Sequence, residues 1–210
     1  MSGPKPERAT RPPDLRAGFA DFGGRIWLSC SHQGPLPLAA AREAFEAVEW
    51  KVRPFELTGE RFTGVPARLR AAISRLIDAP ENEVALTDGA SYGLHLLANG
   101  LPLGEGDEVL LLRGDFPSNV LPWIGLRERG VVVREIEPAG GEPVLQPADV
   151  ERALGPRTRV LCTSWVHSFS GWTTDLAAVG ALCRERGVRF LVNTSQGLGA
   201  RPLRPRELPV

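Results

Sequence analysis

Lysine is almost absent from this 210-residue sequence. It occurs only at Lys5 and Lys51, and every other basic residue is an arginine. Chemistry that needs a lysine amine therefore has two candidate residues, and both lie near the beginning of the chain.

A net charge and long apolar runs are also missing. Lys+Arg 25 balances Asp+Glu 25, so no overall field attracts nucleic acid or an anionic membrane. No apolar run approaches the roughly 20 residues that span a bilayer. We therefore expect neither a nucleic-acid partner nor a membrane partner.

Paired cysteines are absent too. The three cysteines are odd in number, widely separated and without a CxxC pair, which argues against a disulfide framework or a zinc site: Cys30, Cys162 and Cys183. The first 18 residues lack the apolar stretch of a secretory signal. We therefore expect no metal, a flexible tail over residues 1–18, and a reducing, cytoplasmic location.

What the sequence does contain is an alternation of strands and helices. The hydrophobic spacing predicts a short strand at 26–29 and amphipathic helices over 38–52 and 65–77. Five further strands are predicted to alternate with helices, which indicates an α/β fold with three layers and a mostly parallel sheet flanked by helices. These strands are 83–87, 108–113, 131–137, 159–165 and 189–193, and the helices between them are 91–101, 118–129, 148–154 and 175–186.

Small residues follow the first strand of this series. Ligands of parallel sheets bind at the carboxyl ends of the strands, and Gly89, Ala90 and Ser91 lie there, at the start of a predicted helix. Free N–H groups at a helix N-terminus favour a phosphate. A plain helix cap at Ser91 explains the same residues. Neither a Walker loop nor a G-x-G-x-x-G motif is present.

An aromatic ring and two amides follow other strands. Phe116 suits the face of a planar heterocycle, although a core phenylalanine is the alternative. Asn193 and Gln196 are suited to hydrogen-bond a ring nitrogen and a phenolic oxygen, and turn chemistry is their alternative. We predict that Ser91, Phe116, Asn193 and Gln196 meet in one pocket.

Together these segments resemble the class V aminotransferases, the pyridoxal-phosphate family that includes cysteine desulfurases, isopenicillin N epimerase-like enzymes and kynureninase. Segment 27–37 is similar to the family's N-terminal segment, and the resemblance covers nearly everything after residue 18. It implies part of the large domain of a PLP-dependent transferase. The motifs, in the family's order, are LTDGASYGLHLLANGL at 86–101, DFPSNVLPW at 115–123, SWVHSFSG at 164–171 and LVNTSQ at 191–196.

The resemblance implies pyridoxal 5'-phosphate as cofactor and a small amino-bearing molecule as substrate. Gly89, Ala90 and Ser91 would hold the cofactor's phosphate. Phe116 would stack on its pyridine ring, where many relatives have histidine, and Gln196 would hydrogen-bond its phenolic oxygen.

Three further residues are assigned by the same resemblance. His167 and Ser168 fall in a loop that relatives place beside the phenolic oxygen. His32 falls in a loop that approaches the substrate. No residue of the chain is assigned a catalytic role.

The sequence departs from the family at two positions. Relatives have aspartate where this chain has Asn193, and that carboxylate keeps the pyridine nitrogen protonated. The lysine that forms the Schiff base in the family lies beyond Val210, and we do not expect Lys5 or Lys51 to replace it. We therefore expect a truncated or split portion of an enzyme.

The predicted organisation has three parts. Residues 1–18 are the tail, residues 19–60 an N-terminal segment belonging to the small domain, and residues 61–210 an incomplete PLP-binding large domain. Without the family's last strand, the predicted strand 83–87 would lack its neighbour in the sheet.

Three functions stay open at this point. The first is a portion of a PLP-dependent enzyme, homodimeric at full length. The second is a catalytically inactive pseudoenzyme or a partner-complemented subunit of the same fold. The third is a Rossmann-like nucleotide binder. Against the third, Asp107 and Glu108 open a strand, whereas a ribose-binding acid closes one.

Overall fold

The computed structural model describes Leu15–Pro209. Most of the predicted tail over 1–18 lies outside the described residues, and Arg16–Gly18 forms a short 3-10 helix. The chain divides into two compact units, Met1–Arg61 and Phe62–Val210.

The first unit contains one long helix, α1 at Leu38–Val52, with the predicted bounds. The strand predicted at 26–29 is wrong, because this segment forms no strand. Its backbone leads into a turn in which the Ser29 carbonyl accepts from the N–H groups of His32 and Gln33. The Trp27 indole N–H also donates to the Gln33 carbonyl, at 2.7 Å. Local hydrogen bonds thus replace strand pairing here.

The second unit is built on a parallel sheet of four strands in the order β2-β1-β3-β4. The helix α2 precedes the sheet, and the other helices alternate with its strands. The strands are β1 at Glu108–Leu112, β2 at Val132–Ile136, β3 at Thr158–Ser164 and β4 at Arg189–Asn193. The helices are α2 at Val65–Ile77, α3 at Ala90–Gly100, α4 at Pro117–Ile124, α5 at Pro147–Ala153 and α6 at Leu176–Glu185.

The alternation of side chains along β1 creates two cores. Val109 and Leu111 are buried with residues of α3 and α4 on one face. Leu110 and Leu112 are buried with residues of α5 and α6 on the other. Because successive side chains of a strand point to opposite faces, this continuous apolar run needs cover on both sides. The predicted three-layer α/β architecture is confirmed.

The strand predicted at 83–87 is wrong. Glu81–Glu83 is a 3-10 turn, and residues 84–87 form no strand. Val84 has β-region torsion angles, φ −104° and ψ 112°. A strand also needs a ladder of hydrogen bonds to a neighbour, and the described residues supply none for this segment.

None of the helices in residues 15–209 is long and apolar enough to cross a membrane. Short helical segments connect the larger elements. The remaining short segments are Pro54–Glu56, the π-helical turn Glu60–Gly64, Gly125–Arg129 and Pro205–Glu207.

Candidate functional site

A buried carboxylate lies three residues beyond the end of β1. Asp115 is 7% exposed and accepts four hydrogen bonds. The donors are the N–H of Phe116 at 2.7 Å, the N–H and hydroxyl of Ser164 at 2.8 and 2.6 Å, and the Asn119 amide at 2.9 Å. These donors replace the water that burial removes from the carboxylate. Asp115 thereby ties the end of β1 to the end of β3.

Asn119 extends this network to β4. Its side chain on α4 is fully buried, and its Oδ1 accepts from the Asn193 amide nitrogen at 2.8 Å. Asn193 ends β4, and its own Oδ1 accepts from the N–H of Ser195 at 3.0 Å and from the Ser195 hydroxyl at 2.7 Å. The carboxyl ends of three neighbouring strands are therefore joined by one chain of hydrogen bonds.

The start of α3 lies next to the end of β4. A cavity of about 670 Å³ is lined by Thr87 and Ala90 together with Val192, Asn193 and Ser195. The first residues of α3 thus share a wall with the amide that ends the polar network.

The α3 N-terminus has no side-chain cap. Its first intrahelical hydrogen bond is donated by Gly93 to the Gly89 carbonyl, so the preceding N–H groups in the first turn have no intrahelical partner. Gly89 has φ +149°, a conformation that residues with a Cβ rarely adopt, and nothing lies within 4 Å of the place a Cβ would occupy. These free donors and the open glycine suit an anionic group.

The loop after β3 carries two of the predicted residues. His167 is 6% exposed, with Nε2 3.3 Å from the Gly114 carbonyl and Nδ1 3.0 Å from the Ser170 hydroxyl. The neighbouring Ser168 hydroxyl is buried without a hydrogen-bond partner among the described residues. A buried hydroxyl in this position costs free energy until a group binds to it.

The other predicted residues lie at the same sheet edge but not on that cavity's wall. Phe116 precedes α4 and is 41% exposed. Ser91 is exposed in the first turn of α3, and Gln196 is half-buried after β4. Hydrogen bonds through Asn119 link Asn193 to Asp115, the residue before Phe116. The cavity wall does not include Ser91, Phe116 or Gln196. Their meeting in one pocket stays a prediction.

His32 belongs to the first unit. It is exposed and lies in the turn that follows Ser29. Its assignment to the substrate stays a prediction.

The sequence interpretation missed Asp115, Asn119 and Ser164 as a group. Each is a buried polar residue, and each lies in one of the motifs that resemble the class V aminotransferases. The available signal was the position of Asp115 shortly after one apolar strand and of Ser164 at the last residue of another, with Asn119 in the helix that follows the first strand. Which atoms they pair with depends on how the strands are arranged, and a single sequence does not contain that information.

Two of the three cysteines are buried. Burial raises the pKa of the Cys162 thiol to about 12, and burial likewise raises that of Cys183 to about 12, so both are protonated at neutral pH. Within residues 15–209, no group of three or more His, Cys, Asp or Glu side chains is placed to hold a metal ion.

A family model matches the part of the chain that contains the candidate site. Residues 38–210 match the model of aminotransferase class V. A probable cysteine desulfurase of Methanothermobacter thermautotrophicus is 27% identical over 197 residues, which cover 90% of this chain and 48% of that protein. A probable cysteine desulfurase of Pseudomonas putida is 32% identical over 165 residues, covering 78% of this chain and 36% of that protein.

Solved structures resemble the chain as well. A variant of C-DES with glycine covalently linked to the PLP cofactor superposes with TM-score 0.84 at 24% identity, over 94% of this chain and 54% of that one. The complex of the cystine C–S lyase C-DES with its reaction product, cysteine persulfide, gives 0.77 at 25% identity, over 86% of this chain and 50% of that one. The chain spans about half the length, or less, of these relatives.

Proposed function

Because the chain belongs to the class V aminotransferase family, we propose that residues 62–210 form the part of a PLP-dependent enzyme that binds its cofactor. The cofactor is pyridoxal phosphate, which supplies an electron-withdrawing ring for reactions at the carbon next to an amino group. The protein's own part is to bind the cofactor, orient it and tune its charge.

The start of α3 fits the cofactor's phosphate. We assign the phosphate to Gly89, Ala90 and Ser91, because this helix start has N–H groups without intrahelical partners and no side-chain cap. The helix dipole adds a favourable field for the negative charge.

The remaining residues are assigned around the ring. We place Phe116 on the ring face, since its side chain is 41% exposed at the sheet edge. The Ser168 hydroxyl, buried without a partner in the described chain, is available to the phenolic oxygen. His167 and Gln196 are assigned to the same oxygen, and Asn193 to the ring nitrogen.

One observation carries this proposal. A hydrogen-bond chain from Asp115 through Asn119 to Asn193 joins the ends of β1, β3 and β4, and Asn193 shares a cavity with the first residue of α3. Ligands of parallel sheets bind at this edge. The arrangement supports a single ligand that reaches from the helix start to the Asn193 amide.

The reaction of the whole enzyme is proposed from its relatives. We propose an amino acid or another small amino-bearing molecule as substrate, with His32 on the substrate side, and a homodimer as the full-length form. Probable cysteine desulfurases cover most of this chain at 27% and 32% identity. Cysteine desulfuration is therefore the first reaction to test in the full-length protein.

A charge change in α3 tests the phosphate assignment. In Ser91→Asp, the added carboxylate would repel the phosphate, so we expect at least a tenfold weaker affinity for pyridoxal phosphate, about 1.4 kcal/mol. Binding of pyridoxal, which lacks the phosphate, should change little. Fluorescence or absorbance titration measures both affinities.

Ala148→Asp is the matched control, because it adds the same charge to the first turn of another helix at an exposed residue. It should leave both affinities unchanged. Failure of the original chain to bind pyridoxal phosphate saturably would contradict the proposed function.

The second candidate function is an inactive or partner-complemented subunit of the same fold. It is favoured by Asn193, which is neutral and whose amide is held within the hydrogen-bond network. The two candidates differ in whether full-length protein turns over an amino substrate after it has bound the cofactor.

A further inference from the structure

We propose that Asp115 and Asn119 are positioning residues that hold the Asn193 amide as a hydrogen-bond donor, so that this protein binds pyridoxal phosphate with the ring nitrogen unprotonated. The inference rests on the proposed function, which places the ring nitrogen at Asn193. The directions of the hydrogen bonds among Asp115, Asn119 and Asn193 do not depend on any ligand.

The orientation of the Asn193 amide follows from one neighbour. The backbone N–H of Ser195 lies 3.0 Å from one end of the amide. A backbone N–H only donates, so the atom facing it is the oxygen. The nitrogen is therefore the atom 2.8 Å from Asn119, and it must donate to the Asn119 oxygen.

The orientation of Asn119 is set in the same way. One end of its amide lies 2.9 Å from Asp115 Oδ2 and 2.8 Å from the Ser164 hydroxyl. The Asp115 carboxylate only accepts, so this end is the nitrogen. Ser164 gives its hydroxyl proton to Asp115 at 2.6 Å and thus accepts from Asn119. Every proton in the network points toward the buried carboxylate.

This polarity excludes an anion at position 193. A carboxylate there would place an oxygen against the Asn119 oxygen, where an N–H now donates. Rotating the Asn119 amide would relieve that contact and put its oxygen against Asp115 instead. Either arrangement opposes two acceptors in a buried site, where lost hydrogen bonds are most costly.

The Asn193 nitrogen has a second hydrogen, and the described residues provide it with no hydrogen-bond partner. An N–H donor binds a lone pair, which a pyridine nitrogen has only when it is unprotonated. Hydrogen bonding to the neutral form of a base disfavours its charged form. The same site therefore selects the unprotonated ring.

The charged and titratable groups around Asn193 do not offset this preference. Asp115 faces Asn119, and its four hydrogen bonds are all made within the network. His167, on the loop after β3, has its ring nitrogens near the Gly114 carbonyl and the Ser170 hydroxyl. Asp88 is exposed before α3. None of the three is hydrogen-bonded to Asn193.

The state of the ring nitrogen is measured directly with ¹⁵N-labelled pyridoxal phosphate. ¹⁵N NMR of the bound cofactor should show the chemical shift of an unprotonated pyridine nitrogen throughout the neutral pH range. A protonated ring in the original chain would overturn the proposal.

A second measurement needs no cofactor. The carboxyl group introduced by Asn193→Asp would be disfavoured in its charged form, so its pKa is raised on folding. Stability of this variant should be retained at acidic pH and lost as pH rises through that value. We expect the folding equilibrium constant at neutral pH to fall at least tenfold, equivalent to one pKa unit. A loss of stability that does not depend on pH would overturn the proposed polarity.

Asn99→Asp is the control, since Asn99 is an exposed amide on α3 that donates to the His95 carbonyl at 2.8 Å. It should not reproduce the pH profile. A double-mutant cycle with Asn119→Ala should shrink the penalty of Asn193→Asp, because the opposing oxygen is gone.

The two proposals fail in distinguishable ways. Absence of saturable cofactor binding contradicts the proposed function, whereas the pH profile of the apo variant still decides the network's polarity. If Asn119→Ala does not fold, the pH profile of Asn193→Asp alone decides it.

Discussion

Gly197 is the residue at which the packing leaves least room beside the candidate site. A Cβ added to Gly197 would lie 2.4 Å from Cε3 of the Trp165 ring. The glycine thus lets the backbone after β4 lie on the indole, and the Arg201 guanidinium carbon lies 5.6 Å from the centroid of the same ring. Close approach to Trp165, rather than backbone conformation, explains this glycine.

Gly197→Ala should destabilise the protein by about 1–3 kcal/mol, because the indole or the backbone must move to admit the methyl group. Denaturant unfolding measures the change. Gly125→Ala is the matched control: Gly125 has helical torsion angles, φ −58° and ψ −24°, and nothing lies within 4 Å of an added Cβ. Equal destabilisation of the two variants would contradict the close-packing explanation.

The three cysteines also differ at the residue scale. Cys30 is exposed, whereas Cys162 and Cys183 are buried with pKa values raised to about 12 by that burial. Since the thiolate is the reactive form, one thiol per chain should react rapidly with an alkylating reagent in the native protein. Peptide mass analysis should locate the label at Cys30, with the other two labelled only after denaturation. Rapid native labelling of Cys162 would contradict its burial in the core.

Among the elements, β1 holds the sheet together at both of its ends. At its carboxyl end lies Asp115. At its beginning, Glu108 accepts from Arg134 of β2 at 2.9 and 3.1 Å and from the Thr158 hydroxyl of β3 at 2.6 Å. Partial burial by itself would raise the pKa of Glu108. The hydrogen bonds from Arg134 and Thr158 and the charge of Arg134 outweigh burial and hold it below the usual value.

A lowered pKa in the folded state gives this element a pH-dependent stability. The contribution of Glu108 is fully present above the ordinary glutamate pKa of about 4.3. It is lost as pH falls through the lower value of the folded state. Glu108→Gln should cost about 1 kcal/mol at neutral pH, a modest figure because Arg134 is partly exposed to solvent. The cost should shrink at acidic pH.

Unfolding curves at neutral and acidic pH measure this effect. Glu137→Gln serves as control, since Glu137 pairs with Arg113 at 3.3 Å with both side chains mostly exposed. It should change stability by only a few tenths of a kcal/mol. An identical pH profile for the two variants would contradict the assignment to Glu108.

For the molecule as a whole, the distribution of lysine sets the expected behaviour with the cofactor. No lysine occurs after Lys51, so the second unit contains none. The candidate site therefore has backbone donors and amides for binding but no amine for covalent capture. We expect this 210-residue chain to bind pyridoxal phosphate reversibly, without a stable covalent link.

Borohydride reduction of the cofactor-soaked chain, followed by intact and peptide mass analysis, tests this expectation. No stoichiometric pyridoxyl adduct should form on a single lysine. Titration of the same chain with pyridoxal phosphate should nevertheless show saturable binding. A stoichiometric adduct at Lys51 would contradict the prediction. A relative that carries the Schiff-base lysine, reduced in parallel, checks that the conditions trap a covalent link.

The sequence by itself determined the elements whose formation depends on local pattern. Helical spacing of apolar residues predicted α1 and α2 with their observed bounds, and the continuous apolar run at 109–112 predicted a strand covered on both faces. Such patterns record how each segment buries its own side chains. The order of motifs also predicted the family that the comparison identifies.

Only the tertiary structure decided which segments pair and which atoms meet. Val84 has β-region torsion angles, but residues 84–87 form no strand, because strand formation depends on a neighbour elsewhere in the chain. The roles of Asp115 and Asn119 likewise depend on three strands ending side by side. The sequence alone shows that the side chain at position 193 is a neutral amide. Its orientation as a donor is set by Asn119 and Ser195, which lie 74 and 2 positions away along the chain.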